Sequence, residues 1–448
     1  MTFVVDDVTA FRYRSARLDR RTGLARFDYS FDGAGDHAFT ETVQFALPAS
    51  DSAVDWERVD AVVDLLGAVL GLSYYKAAAP ARLVIEHPAL TVGAVDYLAR
   101  TLRFGLAEFA YRAGLAGFLE PVIETRATAP TRRPVVDLST AQPLVPIGGG
   151  KDSVVSVESL AAAGLSPVQF AVNPNSIIRR VAEVSGWPLV EVTRRIDPLL
   201  IALNADGALN GHVPVTAMNS LIGVVQSLLL GLGPVVMSNE SSASDPTLLW
   251  KGEEVNHQWS KSLEAEEALA AALDDQAGLR GAYFSLLRPF SELRIAQGYA
   301  HTSRYDSAIV SCNRAYRMGA GEARWCGDCD KCRFVFLAFA PSMSRERLVG
   351  IVGKNMFDDA TQLQGYRALL GLDSHKPFEC VGEEAECTVA MSMASRDPEW
   401  SESVVLRALV AEVPGLPQGD PVLEAQVFAE SAAQSLPADY ERARHAIV

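Results

Sequence analysis

The chain carries no pattern for export, for spanning a bilayer or for lying along a nucleic acid. Its first residues, Met1-Thr2-Phe3-Val4-Val5-Asp6-Asp7, hold no basic region followed by an apolar run, so no signal peptide is expected. The longest apolar stretch, Met218 to Met237, is broken by Asn219, Ser220, Gln226 and Ser227 and then by Gly233-Pro234. It reads as a buried helix and a strand, not as the roughly 20 unbroken apolar residues a membrane helix needs. Positive charge is short: 40 Lys and Arg against 55 Asp and Glu leave −15, with a pI near 5.0. Arg179-Arg180 and Arg194-Arg195 are isolated pairs beside predicted helices, so no basic stripe offsets the repulsion a long nucleic acid would meet. Internal repeats and low-complexity blocks are also missing. What remains is ordinary globular material, 448 residues with 49% hydrophobic and 21% charged side chains, enough for two or three domains and expected in the cytoplasm.

Three parts follow one another along the chain. From about Ala10 to Ala46 apolar and polar positions alternate around Asp32-Gly33-Ala34-Gly35, as in an antiparallel meander. Helical spacing takes over at Trp56 to Leu72 and Val95 to Leu115, so residues 1–134 are expected to form an α+β module, with Thr128 to Pro134 as a linker. Beyond it, apolar runs at Leu144 to Ile147, Pro167 to Val172, Leu189 to Val192 and Val235 to Ser238 alternate with helical patterns. This predicts an α/β domain over 135–311, a doubly wound parallel sheet whose ligands sit at the carboxyl ends of its strands. The loop from Gly148, Ala171-Val172-Asn173 and Ser238-Asn239-Glu240 fall at such ends and are expected to line one crevice. Residues 312–448 are expected to hold a cysteine cluster and short helices, with a polar, acidic tail from Glu383.

Gly148-Gly149-Gly150-Lys151-Asp152-Ser153, between a predicted strand and a predicted helix, is the most informative segment. Successive glycines let backbone N–H groups converge on an anion, the helix adds its positive end, and Lys151 and Ser153 add donors. The spacing is not that of the familiar nucleotide loop, because Asp152 follows Lys151. It resembles instead the PP-loop of the ATP pyrophosphatase superfamily, Ser-Gly-Gly-x-Asp-Ser, with Gly148 in place of the first serine. That resemblance implies the adenine nucleotide alpha hydrolase type of sheet, ATP cleaved between its α and β phosphates, and AMP moved to a substrate oxygen. The alternative is a glycine-rich turn with no ligand.

Cys326, Cys329 and Cys332 recur every three residues, with Cys312 upstream. In a reducing compartment such a group suggests a closed four-sulfur Zn²⁺ site before it suggests disulfides. Incidental cysteines or a redox pair are the alternatives, since thirteen residues separate Cys312 from Cys326. A similar group follows the nucleotide domain in 7-cyanodeazaguanine synthases, which share the PP-loop. Cys380 and Cys387 are read as packing.

Polar groups gather at three further places. His212, in Asn210-Gly211-His212-Val213-Pro214, precedes a long apolar helix carrying Asn219, where a titratable imidazole and a helix end could meet an anion. Asn256-His257-Gln258-Trp259-Ser260-Lys261 concentrates an amide, an imidazole, an indole and an amine. Pro289-Phe290-Ser291-Glu292-Leu293 opens another helix with Ser291 as an N-cap. Helix capping and plain exposure are the competing explanations for all three.

As an ordered series these motifs, with Ser238-Asn239-Glu240-Ser241-Ser242 and Lys376-Pro377-Phe378-Glu379-Cys380, resemble the MurL family. The resemblance implies an ATP-dependent UDP-N-acetylmuramoyl-L-alanyl-L-glutamate epimerase of peptidoglycan synthesis, inverting the terminal glutamate through an acyl-adenylate. Under it, Gly148, Gly149, Gly150, Lys151, Asp152 and Ser153 are expected on the phosphates, Asp152 also near Mg²⁺, and Ala171 and Asn173 beside the adenine. His257 is the leading proton-transfer candidate, with His212, Lys261 and Glu292 as partners. Asn219, Asn239, Glu240, Asn256, Arg288 and Arg294 are expected on the substrate, the two arginines against the anionic UDP-sugar. Another adenylating PP-loop enzyme, or a non-catalytic nucleotide-binding protein, are the competing readings.

Overall fold

Ten strands lie edge to edge in one sheet of the computed structural model, and their order sets the glycine loop well inside it. The structure describes residues 3–33, 35, 37–50, 54–86, 90–125, 133–139, 142–316, 324–373, 379 and 381–447. Val8–Leu18 (β1), Leu24–Gly33 (β2) and Ala38–Gln44 (β3) form the antiparallel meander read from the sequence. Arg82–Ile85 (β4) and Val122–Thr125 (β5) extend it past β1 in parallel register. Leu144–Pro146 (β6), Val168–Val172 (β7), Leu189–Arg195 (β8), Val235–Met237 (β9) and Tyr283–Ser285 (β10) run parallel to one another. The four apolar runs account for β6 to β9; β10 carried no such signal. The full order is β10-β9-β6-β7-β8-β3-β2-β1-β4-β5. Thr42 of β3 pairs antiparallel with Arg195 of β8, so the N-terminal meander and the parallel strands share one sheet.

Alternate residues of a strand face opposite sides, and that alternation divides the core in two. Trp56–Leu70 (α1), Lys151–Ala162 (α2), Ser176–Ser185 (α3), Val215–Leu230 (α4) and Leu263–Ala277 (α5) supply the covering helices. Leu144, Phe170, Val235 and Tyr283 belong to the core with α1, α4 and α5, whereas Val145, Ala171, Val236 and Phe284 belong to the core with α2 and α3. Helices therefore cover both faces of the parallel half. α4 and β9 are the helix and strand expected in the long apolar stretch, and no described helix is long and apolar enough to cross a membrane.

Glu292–Ala300 (α6), Asp330–Phe339 (α7) and Glu384–Arg396 (α8) pack on one another, and α6 packs on α2. The polar tail expected from Glu383 is instead part of the second core, with Cys387, Met391 and Trp400 fully buried. Its acidic groups such as Glu384, on a helix, and Glu399, in the turn after it, are exposed, which hid the apolar positions. Of the expected linker only Arg133 and Pro134 fall among the described residues, and Lys376, Pro377, Phe378 and Cys380 lie outside them.

Candidate functional site

The chain leaves β6 at Pro146 and enters α2 at Lys151, with extended Gly150 as N-cap and no side-chain cap on the helix. Gly149 has φ of +80°, and a Cβ there would lie 2.7 Å from Tyr316 Oη and 2.8 Å from Ile177 Cγ2. Only glycine fits that turn. A Cβ on Gly150 would stand 2.7 Å from Ser311 Oγ, whereas at Gly148 it would meet open space, so the serine of the PP-loop pattern has room there. The Val310 N–H donates to the Gly149 carbonyl at 3.0 Å and the Tyr316 hydroxyl to the Gly148 carbonyl at 2.7 Å. These bonds hold the loop's carbonyls from one side.

A cleft of about 330 Å³ opens at the loop, at the lower end of small-molecule pockets of roughly 300–1,000 Å³. Gly148, Gly150, Asp152 and Ser153 form one wall, and Asn219, Asn239, Lys261 and Lys331 come to it from other elements. The structure thus gathers residues from four of the motifs. Ala171 and Asn173 do not reach this wall: Ala171 is buried, and Asn173 exchanges side-chain hydrogen bonds with the Arg194 backbone on β8 at 2.8 and 2.9 Å.

Lys151, expected on the phosphates, is 1% exposed, and its ammonium lies between the carboxylates of Asp152 and Glu292. Glu292 also pairs with Lys331 at 3.3 Å. Burial opposes its charge, but the two lysines hold the Glu292 carboxyl well below the usual range. Two further acids crowd this interior. Burial, with the nearby charge of Glu292, pushes both Glu240 and Glu386 up to about 7. Glu386 accepts the backbone N–H groups of Glu292 and Glu383, each at 2.7 Å, and so ties α6 to α8.

Each of the two histidines has a polar partner, and the charges of His257 and Lys261 both act on His212. His257 Nδ1 lies 2.9 Å from the Thr247 hydroxyl, and His212 Nδ1 lies 3.4 Å from Glu108 Oε2. Burial lowers His212 to about 4, helped by the charges of His257, Lys261 and Arg112. Lys261 therefore belongs both to the cleft wall and to the histidine group.

Three substrate candidates are engaged by or buried within the protein itself. Arg288 is 1% exposed and donates to Glu266, to the Glu240 carbonyl and to the Lys261 carbonyl, so its charge is met inside the protein. Asn256 donates to the Ala243 carbonyl and accepts the Gln258 N–H, shaping its own loop. Glu240 points inward, buried among the acids just described. Arg294 is half-buried on α6, off the cleft wall, and its Nε has no partner among the described residues.

The four cysteines converge. Their sulfurs all lie within 4.8 Å of one another, with Cys312 to Cys329 at 4.0 Å and Cys326 to Cys332 at 3.8 Å. Metal–sulfur bonds of about 2.3 Å in a tetrahedron place sulfurs about 3.8 Å apart, so the set has the dimensions of a closed thiolate site. Cys312 also borders the cleft, which joins the cysteine group to the glycine loop.

Glu108, Tyr316, Lys331 and Glu386 escaped sequence reasoning. Lys331 stood inside the cysteine motif and Glu386 completes a capping box with Glu383, but neither pattern speaks of a site. Glu108 and Tyr316 carried no local signal.

Comparison with known proteins agrees with this layout. The model of the MurL N-terminal domain matches residues 2–286, which include the glycine loop and both histidines, and that of the MurL C-terminal domain matches residues 308–423, which include the cysteines. The chain is 52% identical over 411 residues to a UDP-N-acetyl-alpha-D-muramoyl-L-alanyl-L-glutamate epimerase of a Micromonospora species, covering 90% of this chain and 91% of that protein. Proteins of the same name from Salinispora tropica and Xanthomonas oryzae pv. oryzae are 50% and 40% identical, over 90% and 98% of this chain and 89% and 97% of theirs. No solved structure matches the chain. Both parts of the family pattern are present in order and the relatives align over nearly the whole length: the chain belongs to the MurL family.

Proposed function

We propose that the protein is an ATP-dependent epimerase that inverts the terminal L-glutamate of UDP-N-acetylmuramoyl-L-alanyl-L-glutamate during cytoplasmic synthesis of peptidoglycan precursors. The shared name of the relatives supports the reaction and the substrate. One observation carries the ATP-dependent part: the glycine loop and Lys261 line one cleft, and the charge of Lys261 acts on His212. A site suited to phosphates and groups able to move a proton are neighbours.

The sheet supports a PP-loop reading. In the order β10-β9-β6-β7-β8, the chain adds strands first on one side of β6 and then on the other, as a doubly wound sheet does. The glycine loop follows β6, and Ser238 and Asn239 follow β9, on the two sides of that reversal where such sheets bind ligands.

ATP cleavage has a clear purpose in an epimerase. The α-proton of a terminal glutamate is hard to remove because the adjacent carboxylate is already negative. A carboxylate oxygen attacks the α-phosphorus, the bond to the β-phosphate oxygen breaks, and pyrophosphate leaves. In the resulting acyl-adenylate that negative charge is gone, so the α-proton can pass to a base while its electron pair delocalises toward the carbonyl. A proton delivered to the opposite face gives the D-configuration, and water then releases AMP. Attack of the alanyl amide oxygen on the acyl carbon, with loss of the amide proton and departure of AMP, gives an oxazolone, a second route to a planar centre that water then opens to the carboxylate. Asp152 on the cleft wall suits Mg²⁺, whose charge would offset that of the phosphates, and the four cysteines suit a structural Zn²⁺.

Incubation with ATP, Mg²⁺ and UDP-N-acetylmuramoyl-L-alanyl-L-glutamate in deuterated water tests the reading. AMP, pyrophosphate and deuterium at the glutamate α-carbon are expected together. AMP release that depends on an added nucleophile, with no deuterium incorporated, would select another adenylating enzyme; ATP binding without pyrophosphate would leave only a nucleotide-binding protein.

A further inference from the structure

Two surfaces of the N-terminal part meet the loop that carries His212. Lys76 is buried and donates to the Asn210 side chain at 2.7 Å, and the Leu209 N–H donates to the Ala77 carbonyl at 2.9 Å. The helix Ala107–Arg112 brings up Glu108, whose side chain is 9% exposed. One Glu108 oxygen accepts from Arg112 Nε at 2.7 Å, and the other lies 3.4 Å from His212 Nδ1. That second separation is long for a hydrogen bond, as catalytic contacts often are before substrate binds. A carboxylate anchored by an arginine and aimed at one ring nitrogen of a histidine selects that histidine's tautomer.

We propose that Glu108 is a positioning residue: it holds the proton of neutral His212 on Nδ1, leaving the Nε2 lone pair to take the α-proton of the substrate. The inference rests on the epimerase reading above. The α-proton passes to Nε2, its electron pair stays with the substrate, and His212 becomes an imidazolium facing the Glu108 carboxylate. The other charged groups acting on His212 are His257, Lys261 and Arg112, all of which favour the neutral ring in the resting protein. Burial raises the Glu108 carboxyl on balance, and Arg112, paired with it at 2.7 Å, pulls the other way. An anionic substrate raises His212 again, which brings its basicity nearer the working pH.

This gives the N-terminal segment a part in the chemistry that its sheet position alone does not suggest. The tautomer is read directly by ¹⁵N–¹H long-range NMR of histidine-labelled protein, with His212 assigned from a His212→Gln variant. The wild type should show the Nδ1–H form at pH 7, and Glu108→Gln, whose amide donates to Nδ1, should show Nε2–H. An Nε2–H signal in the wild type overturns the proposal, whatever the protein catalyses.

Turnover supplies the second arm. Glu108→Gln should lower kcat for inversion by roughly 100-fold or more, as a wrong tautomer does in a carboxylate–histidine pair. Pyrophosphate release and KM for ATP should stay within about threefold, and Glu108→Asp should recover at least a tenth of wild-type kcat. Inversion by Glu108→Gln within threefold of wild type, or an equal fall in inversion and pyrophosphate release, overturns it. A wild type that releases no pyrophosphate at all defeats the epimerase reading, and the NMR arm still decides the role of Glu108.

Discussion

The Tyr316 hydroxyl donates to the Gly148 carbonyl at 2.7 Å, so the short helix that follows Cys312 also fastens the glycine loop. The same hydroxyl lies 3.0 Å from the Val310 carbonyl. The cysteine segment and the cleft are one mechanical unit. Tyr316→Phe removes these contacts while leaving the ring. A neutral hydrogen bond contributes about 0.5–1.5 kcal/mol, so KM for ATP should rise about 3- to 10-fold with little change in melting temperature. Initial rates of pyrophosphate release and thermal scanning check both parts.

Gly149→Ala should abolish nucleotide use. Its φ of +80° disfavours any side chain, and the new methyl would meet Tyr316 and Ile177 at 2.7 and 2.8 Å. Gly148→Ser faces open space and should leave KM for ATP within about threefold of wild type or improve it, since the hydroxyl restores a donor to the loop. Titration of both variants with ATP separates steric need from mere glycine content.

Stability should fall as pH rises from 5 to 8, in part because of Glu386. Its carboxyl stands at about 7 in the folded protein against an ordinary 4.5, so the folded state binds more protons than the unfolded one across that window. The stabilisation is complete below the ordinary value and is lost as pH passes through 7. Glu240, also at about 7, acts in the same direction. Glu386→Gln loses one acceptor and lowers stability overall, but its melting temperature should vary less with pH, by up to about 3 kcal/mol in the underlying free energy. Melting curves at half-unit steps give the slope; equal slopes in variant and wild type would remove Glu386 as the cause.

Zinc should copurify at one ion per chain. Sulfur separations of 3.8 and 4.0 Å are those of a tetrahedral thiolate site, and three of the four cysteines are buried. Cys332→Ser should lose the ion, and melting should fall by several degrees. Because Val310 bonds Gly149 and Cys312 borders the cleft, ATP binding should weaken with it. Elemental analysis and nucleotide titration on one preparation test the coupling; full ATP affinity in a zinc-free variant would break it.

His257→Ala should keep pyrophosphate release and lose inversion by at least about 100-fold, the usual scale for a general acid–base group. Its Nδ1 is engaged with the Thr247 hydroxyl at 2.9 Å, and its charge acts on His212. Chiral analysis of the released glutamate, after hydrolysis, measures inversion apart from ATP cleavage.

Local pattern was enough for much of this molecule. Alternation found β1 to β3, apolar runs found β6 to β9, three glycines before Lys-Asp-Ser marked the turn at the head of α2, and cysteines at intervals of three marked the cluster. Each of these depends on neighbours within a few residues, because backbone conformation and ligand spacing are local properties. The direction of a charged side chain is not. Lys151 meets Glu292 across 141 positions, and Arg288 meets Glu266 across 22, so only the packed chain shows that both cations are already neutralised inside. Burial decided this: once water is removed, a lysine or arginine must face a carboxylate or carbonyl, and which one it finds follows from how sheet and helices close around it. The pairing of His212 with Glu108 was settled in the same way, by a helix arriving from a part of the chain whose own sequence gave no hint of a site.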